Sequence, residues 1–393
     1  MAVERVSVLA CVRVPWFAVA AAVRCEPALA ERPLVIVRGT PPATQVVEAG
    51  AAARERGILP GMSEAQARAR CADLVRRPAS EMTETSARQA LLGAALGVSP
   101  RVEDGGPGIA YVELAGLERL FGSAAAIGER LVRAVRAVGL EARIGIASTR
   151  IAARVASHGP ARVTVVAPDE EGALLASAPL DVLPLPPELR ATLAWWGIHD
   201  LGGLAALPRA GLATRLGPRG LAAQDLARGV DREPFRPWTP PPFWEEARGL
   251  DWEVTDLPAL LPVVRGVLER LSARLDAAHL AADTAELRLG LASGLRVERA
   301  IALAHPTRDP EVVLALVRRE LEARPPAGPV VEVSVGARPV RPRPGQPALG
   351  QPPVPLERDM AALLGRLVHL VGPERVGSPV VEDSHRPDAI HLV

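Results

Sequence analysis

The 393-residue chain contains no lysine and no asparagine, and all 46 residues counted as Lys+Arg are arginine. Chemistry that needs an ε-amino group is thereby excluded: a Walker A or kinase-type phosphate lysine, a Schiff-base nucleophile, a Ser-Lys dyad. The preference for Arg, with abundant Ala and Gly and 39 prolines, fits a GC-rich coding sequence. Aromatics make up only 3% of the residues, so each one is informative. An excess of charge of one sign is also missing: 46 basic residues face 45 acidic ones, which is not the balance of a protein that wraps duplex DNA. Cys11, Cys25 and Cys71 form no CxxC pair and read as reduced thiols, not a disulfide framework or a zinc site. No apolar run approaches the roughly 18 residues of a membrane span, and Arg5 and Arg13 interrupt the apolar start. The expectation is a soluble, cytoplasmic protein. There is no HExxH pair and no Ser in a GxSxG elbow; His158, His199 and His279 each stand alone, so hydrolase chemistry has no seat.

What is present is ample apolar content, 48%, enough for two to three domains. Val6–Val12 is a β-rich run, followed by an Ala-rich helix from about Trp16 to Cys25 and a second strand at Pro33–Val37. A second Ala-rich helix is expected from about Glu48 to Arg56, stopped by Gly57, and a third is capped by Ser63 and runs through Cys71. Further helices are expected over 82–97, with its start at Thr83, and over 124–138. Strands are expected at Gly108–Leu114 and Arg143–Ala147. Strands alternating with helices give an α+β or α/β core over about 1–168.

From Pro179 to Gly229 the pattern changes to short, glycine-joined helices. Five prolines between Pro234 and Pro242 then read as an extended spacer. Beyond it the order is helix 257–278, strand 284–291, strand 296–304, helix 309–323, strand 329–336, which fits helices on one face of a small antiparallel sheet. A second Pro-rich stretch, Arg338–Pro355, reads as unstructured, and a last helix is expected over Leu356–Val371.

Several segments, at mutually consistent spacing, resemble Y-family (translesion-type) DNA polymerases. Trp16-Phe-Ala followed by Glu26-Pro-Ala-Leu-Ala-Glu-Arg-Pro33-Leu-Val-Ile-Val is similar to the family's opening palm elements. Ala53-Arg-Glu-Arg-Gly-Ile-Leu-Pro-Gly-Met62 is similar to its fingers motif, and Ala110-Tyr-Val-Glu113 to the strand after its SxDE motif. The resemblance implies an α+β multidomain fold: palm-like 1–40 and 75–168, fingers-like 41–74, a helical-hairpin thumb at 169–233, a Pro-rich linker at 234–242, a little finger at 243–337, a second linker at 338–355, and a C-terminal helix and tail at 356–393.

The departures from the family pattern matter most. Counted back from Pro27, its two leading carboxylate positions fall on Arg13 and Pro15; counted back from Tyr111, the Asp and Glu positions fall on Gly108 and Ile109. Two-metal transfer needs hard oxygen ligands fixed on rigid strands, and an arginine brings a permanent positive charge to where a dication must sit. No metal and no cofactor are therefore expected. The alternative is a divergent active polymerase using Glu103, Asp104 and Glu113, which would have to converge beside the first strand. Arg54 occupies the place of a triphosphate-contacting arginine, whereas the fingers tyrosine falls on Ala51 and the palm lysine on the His158 region.

Retained fold with erased carboxylates resembles the catalytically inactive, ImuB-like branch of the family. That resemblance implies an adaptor in damage-induced (SOS-type) mutagenic translesion synthesis. Its implied partners are a RecA-like protein of the ImuA type, an error-prone C-family polymerase and the sliding clamp. For the clamp, the linker offers Gln346-Pro-Ala-Leu349 and Gln351-Pro-Pro-Val-Pro-Leu356, neither with a terminal Leu-Phe. Partner docking is expected on Met360, Leu363, Leu364, Leu367 and Val371, with His385 and Arg386 in the tail. Weak DNA contact is expected at Arg209, Arg215 and Arg219 beside the glycine turns of the helical hairpins. Residues 243–393 hold 18 arginines against 21 acids, so the little-finger half is net acidic.

Overall fold

A computed structural model describes residues 8–342 except 42, and beyond them 363, 367, 371, 372, 375, 376, 379–381 and 390–392. The chain divides into two compact units, one ending at Pro240 and one beginning at Pro241.

The first unit is built on a five-stranded sheet of β1 (Leu9–Arg13), β5 (Val102–Asp104), β6 (Ile109–Glu113), β7 (Arg143–Ala147) and β8 (Val163–Val165), in the order β5-β6-β1-β7-β8. β1 lies at its centre, antiparallel to both neighbours, with Cys11 opposite Tyr111 and Gly145, and Arg13 opposite Ile109 and Arg143. Side chains alternate between the two faces. Ala10, Val12, Val112, Ile144 and Ile146 face the side covered by α4 (Glu81–Leu96) and α6 (Ala124–Ala137). Cys11, Ile109 and Tyr111 face the other way, into a core shared with α7 (Arg150–Ala156) and the helices beyond it. Gly145 permits this packing: a Cβ there would stand 2.0 Å from the Ala153 carbonyl oxygen, so only glycine lets α7 lie on the sheet.

Between β1 and α4 the chain makes α1 (Phe17–Cys25) and a separate three-stranded sheet in the order β3-β2-β4, from β2 (Leu34–Arg38), β3 (Gln45–Ala49) and β4 (Val75–Pro78). Helices α2 (Ala51–Glu55) and α3 (Glu64–Arg70) complete it. This sheet places β2 and β4 in one layer with β3, across the positions 40 and 75 that divided palm from fingers in the sequence. The helix expected from Glu48 begins only at Ala51, because Gln45–Ala49 is a strand whose residues Val46 and Ala49 are buried against β2. Ser63 does cap α3, in a reciprocal capping box with Gln66. The cap of α4 is Ser80, not Thr83; the Thr83 amide donates to the Ser80 hydroxyl.

After α5 (Glu118–Phe121), which precedes α6, and α8 (Glu171–Ala176), the first unit closes with α9 (Pro187–Trp195), α10 (Leu201–Ala206) and α11 (Arg209–Ala227), the last interrupted at Gly217 with φ 60°. The following Pro-rich stretch is not a free spacer. The Trp238 amide donates to the Val102 carbonyl at 2.6 Å, Pro237 bridges to Glu103, and the Arg236 amide donates to the Glu103 carboxylate at 2.9 Å. Proline cannot donate from its own nitrogen, so the strap binds the edge of β5 through the residues between its prolines.

The second unit is a four-stranded antiparallel sheet ordered β11-β10-β12-β9: β9 (Trp244–Val254), β10 (Ala281–Leu291), β11 (Arg296–Thr307) and β12 (Val330–Val340). Helices α12 (Leu257–Ala277) and α13 (Pro310–Ala323) are amphipathic and bury Val264, Val267, Leu271 and Val317 in a core with Leu287, Leu289, Val333 and Val335 of the sheet. β12 runs on through Arg338, Pro339 and Val340, which the sequence assigned to a linker; Arg338 is held there by Asp283. β9 was not foreseen, because Glu246 on it points into the core and breaks the apolar alternation. That carboxylate is fully buried, with Arg274 at 2.8 Å and Arg270 at 3.3 Å, both from α12. A short ladder of β13 (Pro379–Val381) and β14 (Ile390–Leu392) lies near the end of the chain.

Candidate functional site

At the end of β1, where the family pattern calls for a carboxylate, Arg13 directs its guanidinium to the C-terminal end of α7. Its Nε and Nη2 donate to the Ser157 carbonyl oxygen at 3.2 and 3.0 Å. Carbonyls at a helix C-terminus carry partial negative charge and suit a cation. Burial, and after it the charges of Arg143 and Arg154, hold the Arg13 pKa below its ordinary value. Pro15 follows on a bend. Gly108 sits at φ +70°, its carbonyl accepting the Val14 amide at 2.8 Å, and a Cβ there would stand 2.9 Å from the Val14 oxygen. An Asp at 108 would be strained by both its backbone angle and that contact. Ile109 is buried among the thumb-side apolar residues.

The fingers side is closed on itself. Trp16, half-exposed and in the left-handed region at φ 48°, lies under the Arg54 guanidinium at 3.3 Å from its ring centre. Glu48 accepts the Val19 amide at 2.7 Å; burial raises its carboxyl pKa against the lowering by the Val19 and Ala18 amides. Arg54 is thus stacked on the protein's own tryptophan.

Glu103, Asp104 and Glu113 are not brought together. Glu103 and Asp104 lie on edge strand β5, separated from β1 by β6, and as successive residues they face opposite ways. Each acid has its own arginine. Glu103 pairs with Arg150 at 2.9 Å, Asp104 with Arg88 at 2.7 Å, and Glu113 with Arg101. Among the described residues no group of three His, Cys, Asp or Glu side chains could hold a metal ion. Arg150 also binds Asp231 at 2.6 Å and the Glu233 carbonyl at 2.9 Å, and Arg101 and Arg150 flank the Phe235 ring, so the strap is tied down by the same arginine. A cavity of about 320 Å³ opens beside it, lined in part by Glu103, Tyr111, Arg150, Arg154 and Asp225.

In the helical hairpins, Arg209 pairs with Asp225 at 2.5 Å and holds that carboxyl below its ordinary range; Arg215 lies over Trp196, and Arg219 is exposed just past the Gly217-Pro218 break. Trp195 is 86% exposed. Near the end of the chain Leu363, Leu367 and Val371 are exposed, four residues apart. Met360, Leu364, His385, Arg386 and both glutamine segments lie outside the described residues.

The sequence reading missed Arg143. It stands directly opposite Arg13 on β7, with its Nη1 donating to the Gly159 and Pro160 carbonyls at 2.6 and 2.8 Å. It also missed Arg154 on α7, whose positive charge lies close enough to the buried Tyr111 to oppose the rise that burial gives its hydroxyl pKa.

A palm-type sheet with an appended small sheet, helical hairpins and a separate sheet-and-helix unit defines a Y-family polymerase-like protein. The impB/mucB/samB family matches residues 12–158, and the C-terminal domain of that family matches 248–347. Over 336 residues the chain is 30% identical to Protein ImuB of Caulobacter vibrioides, covering 84% of this chain and 73% of that protein. Over 324 residues it is 28% identical to DNA polymerase IV of Halorhodospira halophila, covering 81% and 88%. Among solved structures, DinB from Sulfolobus solfataricus aligns with a TM-score of 0.49 at 16% identity, over 86% of this chain and all of that one. The chain belongs to the impB/mucB/samB family, and within it is ImuB-like. Among the described residues no helix is long and apolar enough to cross a membrane.

Proposed function

We propose that this protein is a non-catalytic Y-family homologue that serves as an adaptor in damage-induced mutagenic translesion synthesis, joining a RecA-like protein of the ImuA type to an error-prone C-family polymerase. The observation that carries the reading is Arg13 on the central strand, with Gly108 and Ile109 beside it, so that the positions the family pattern gives to carboxylates hold none. Two-metal nucleotidyl transfer needs anionic oxygen ligands there. The acids of the alternative, active reading are each occupied by an arginine and lie on different strands or faces. Arg54 is a nucleotide-binding remnant, now stacked on Trp16.

Docking falls to the apolar positions Leu363, Leu367 and Val371, whose spacing of four suits one stripe of a helix seated in a partner's groove. DNA contact is weak, and Arg219 is the freest of the three hairpin arginines.

Two assays test the reading. The purified full chain is expected to give no primer extension with Mg²⁺ or Mn²⁺; incorporation above a contaminant control overturns it. A RecA-like protein encoded beside it is expected to retain the full chain in a pull-down and to lose a chain truncated after Pro342. Equal retention of both places docking elsewhere.

A further inference from the structure

The end of the palm sheet at Arg13 has lost more than its carboxylates. Its local charge has the opposite sign. Arg13 and Arg143 are cross-strand partners in the antiparallel β1–β7 pair, a placement in which like charges destabilise a sheet. Arg154 comes from α7, which packs on the same face. Arg162, exposed and immediately before β8, offers its carbonyl to the Ile144 amide and so stands at the same end of the sheet, next to Arg143. None of these four arginines forms an ion pair among the described residues. Arg13 and Arg143 are held by carbonyl oxygens, and the Arg154 Nε is buried without a partner. The field is felt next door: desolvation first, and then the charges of Arg13 and Arg154, push His158 down to about 4.

The carbonyl bonds orient these guanidinium groups without using them up. Arg13 spends Nε and Nη2 on Ser157 and Arg143 spends Nη1, so that among the described residues Arg13 Nη1 and Arg143 Nε and Nη2 have no acceptor. None of those atoms is among the buried unpartnered ones, so they reach the surface. Planar guanidinium groups with donors to spare, fixed in place and lacking a carboxylate, match the oxygens of a phosphate. The acids on the neighbouring strands, Glu103, Asp104 and Glu113, are held by Arg150, Arg88 and Arg101.

We infer that Arg13, Arg143 and Arg162 form a metal-independent phosphate-binding site on the palm, which holds a nucleic-acid backbone phosphate directly by guanidinium groups. This rests on the reading that the protein contacts DNA without copying it. The same chemistry would accept the phosphates of a free polyphosphate, so the probes must separate the two sources.

The experiment uses the full chain in EDTA, with a fluorescein-labelled single strand of about 20 nucleotides titrated across a salt series, and inorganic tripolyphosphate as a second probe. Wild-type protein is expected to bind the strand equally well with EDTA or Mg²⁺. The double variant Arg13→Gln/Arg143→Gln should bind at least about tenfold more weakly and lose roughly one unit of slope in log K against log salt. Arg136→Gln, on the helix-covered side, should bind as wild type, and Arg13→Lys/Arg143→Lys should recover part of the loss. Competition by tripolyphosphate only at concentrations far above those of strand phosphate assigns the site to the backbone; tight tripolyphosphate binding lost in the double variant assigns it to free phosphates.

Equal binding of the strand and of tripolyphosphate by wild type and the double variant overturns the site while leaving the adaptor reading intact. Primer extension by wild type overturns the adaptor reading without touching the binding difference. Should the double variant fail to fold, Arg162→Gln, on an exposed turn, decides: a two- to threefold loss in binding the strand or tripolyphosphate supports the site, and unchanged binding overturns it.

Discussion

Two strands of one sheet carry charge in opposite ways. At the centre, β1 ends in Arg13, with Arg143 beside it, and among the described residues neither forms an ion pair. At the edge, β5 carries Glu103 and Asp104, and each meets an arginine at 2.9 Å or closer. The sheet as a whole is therefore not short of acids; they stand where they fasten structure. Glu103 illustrates this, since it accepts both from Arg150 and from the Arg236 amide and so ties the strap to the palm. A carboxylate whose charge is already compensated by a guanidinium is a poorer ligand for a hard cation, which would have to sit beside that positive charge. The edge gains rigidity from its charges, and the centre keeps unused donors.

The largest effect is expected at the edge. Arg150→Ala would leave Glu103 and Asp231, both mostly buried, without their cation. Breaking such a pair typically costs about 3–5 kcal/mol, so urea unfolding of the first unit should move by about 3 kcal/mol. Trypsin should also cut faster after Arg232 in the loosened strap. Unchanged unfolding and cleavage would show that the strap is held by its backbone bonds alone. At the centre, Gly108→Ala should cost about 2 kcal/mol through its positive φ, with the close Val14 oxygen and Phe17 ring adding to it. Restoring acids by Arg13→Asp, Gly108→Asp and Ile109→Glu together is accordingly expected to lower stability and to yield no primer extension. Activity in that triple variant would sink the claim that the backbone itself, and not only the side chains, has left the catalytic geometry.

Much of this architecture is legible in the sequence, and the gaps have physical causes. Arg143–Ala147 and the two helices of the second unit follow directly from apolar periodicity. β5 is missed because it is three residues long and runs into the Gly105-Gly-Pro-Gly108 stretch. β9 is missed because its inward residue is a glutamate, legible only once Arg270 and Arg274 are seen to reach it from α12. The strap reads as a spacer because proline content signals extension but not what the extended chain lies against. At the site, the absence of acids at 13, 15, 108 and 109 is a counting result and was available from the motifs. The pairing of Arg13 with Arg143 is not, since it depends on the register of two strands some 130 residues apart, which no turn between them fixes.

The weaker members of the comparison sharpen it. Arg88→Gln removes the partner of Asp104, but both side chains are part-exposed, so the loss should stay under about 1 kcal/mol. A loss as large as that at Arg150 would mean that the edge charges act as one network.

The finest test of the central charge is His158. His158 is exposed at the rim of the turn after α7 yet partly desolvated against it, and its pKa is lowered from 6.5 to about 4, by that desolvation first and then by Arg13 and Arg154. The unfolded chain therefore takes up a proton near pH 6.5 that the folded chain refuses until about pH 4. This contribution to stability is fully present above pH 6.5 and drains away as the pH falls towards 4. His158→Gln should flatten that part of the difference in melting temperature between pH 7 and pH 4.5 while leaving the carboxylate contributions in place. Titration of the His158 ring resonances should give a midpoint near 4 in wild type. In Arg13→Gln the midpoint should rise while staying below 6.5, because desolvation still disfavours the cation. A phosphate-bearing ligand bound at Arg13 and Arg143 should move it the same way, by cancelling the field without removing the arginine. A wild-type midpoint near 6.5 would mean that neither desolvation nor the charges of Arg13 and Arg154 act on the ring, and would overturn the central field.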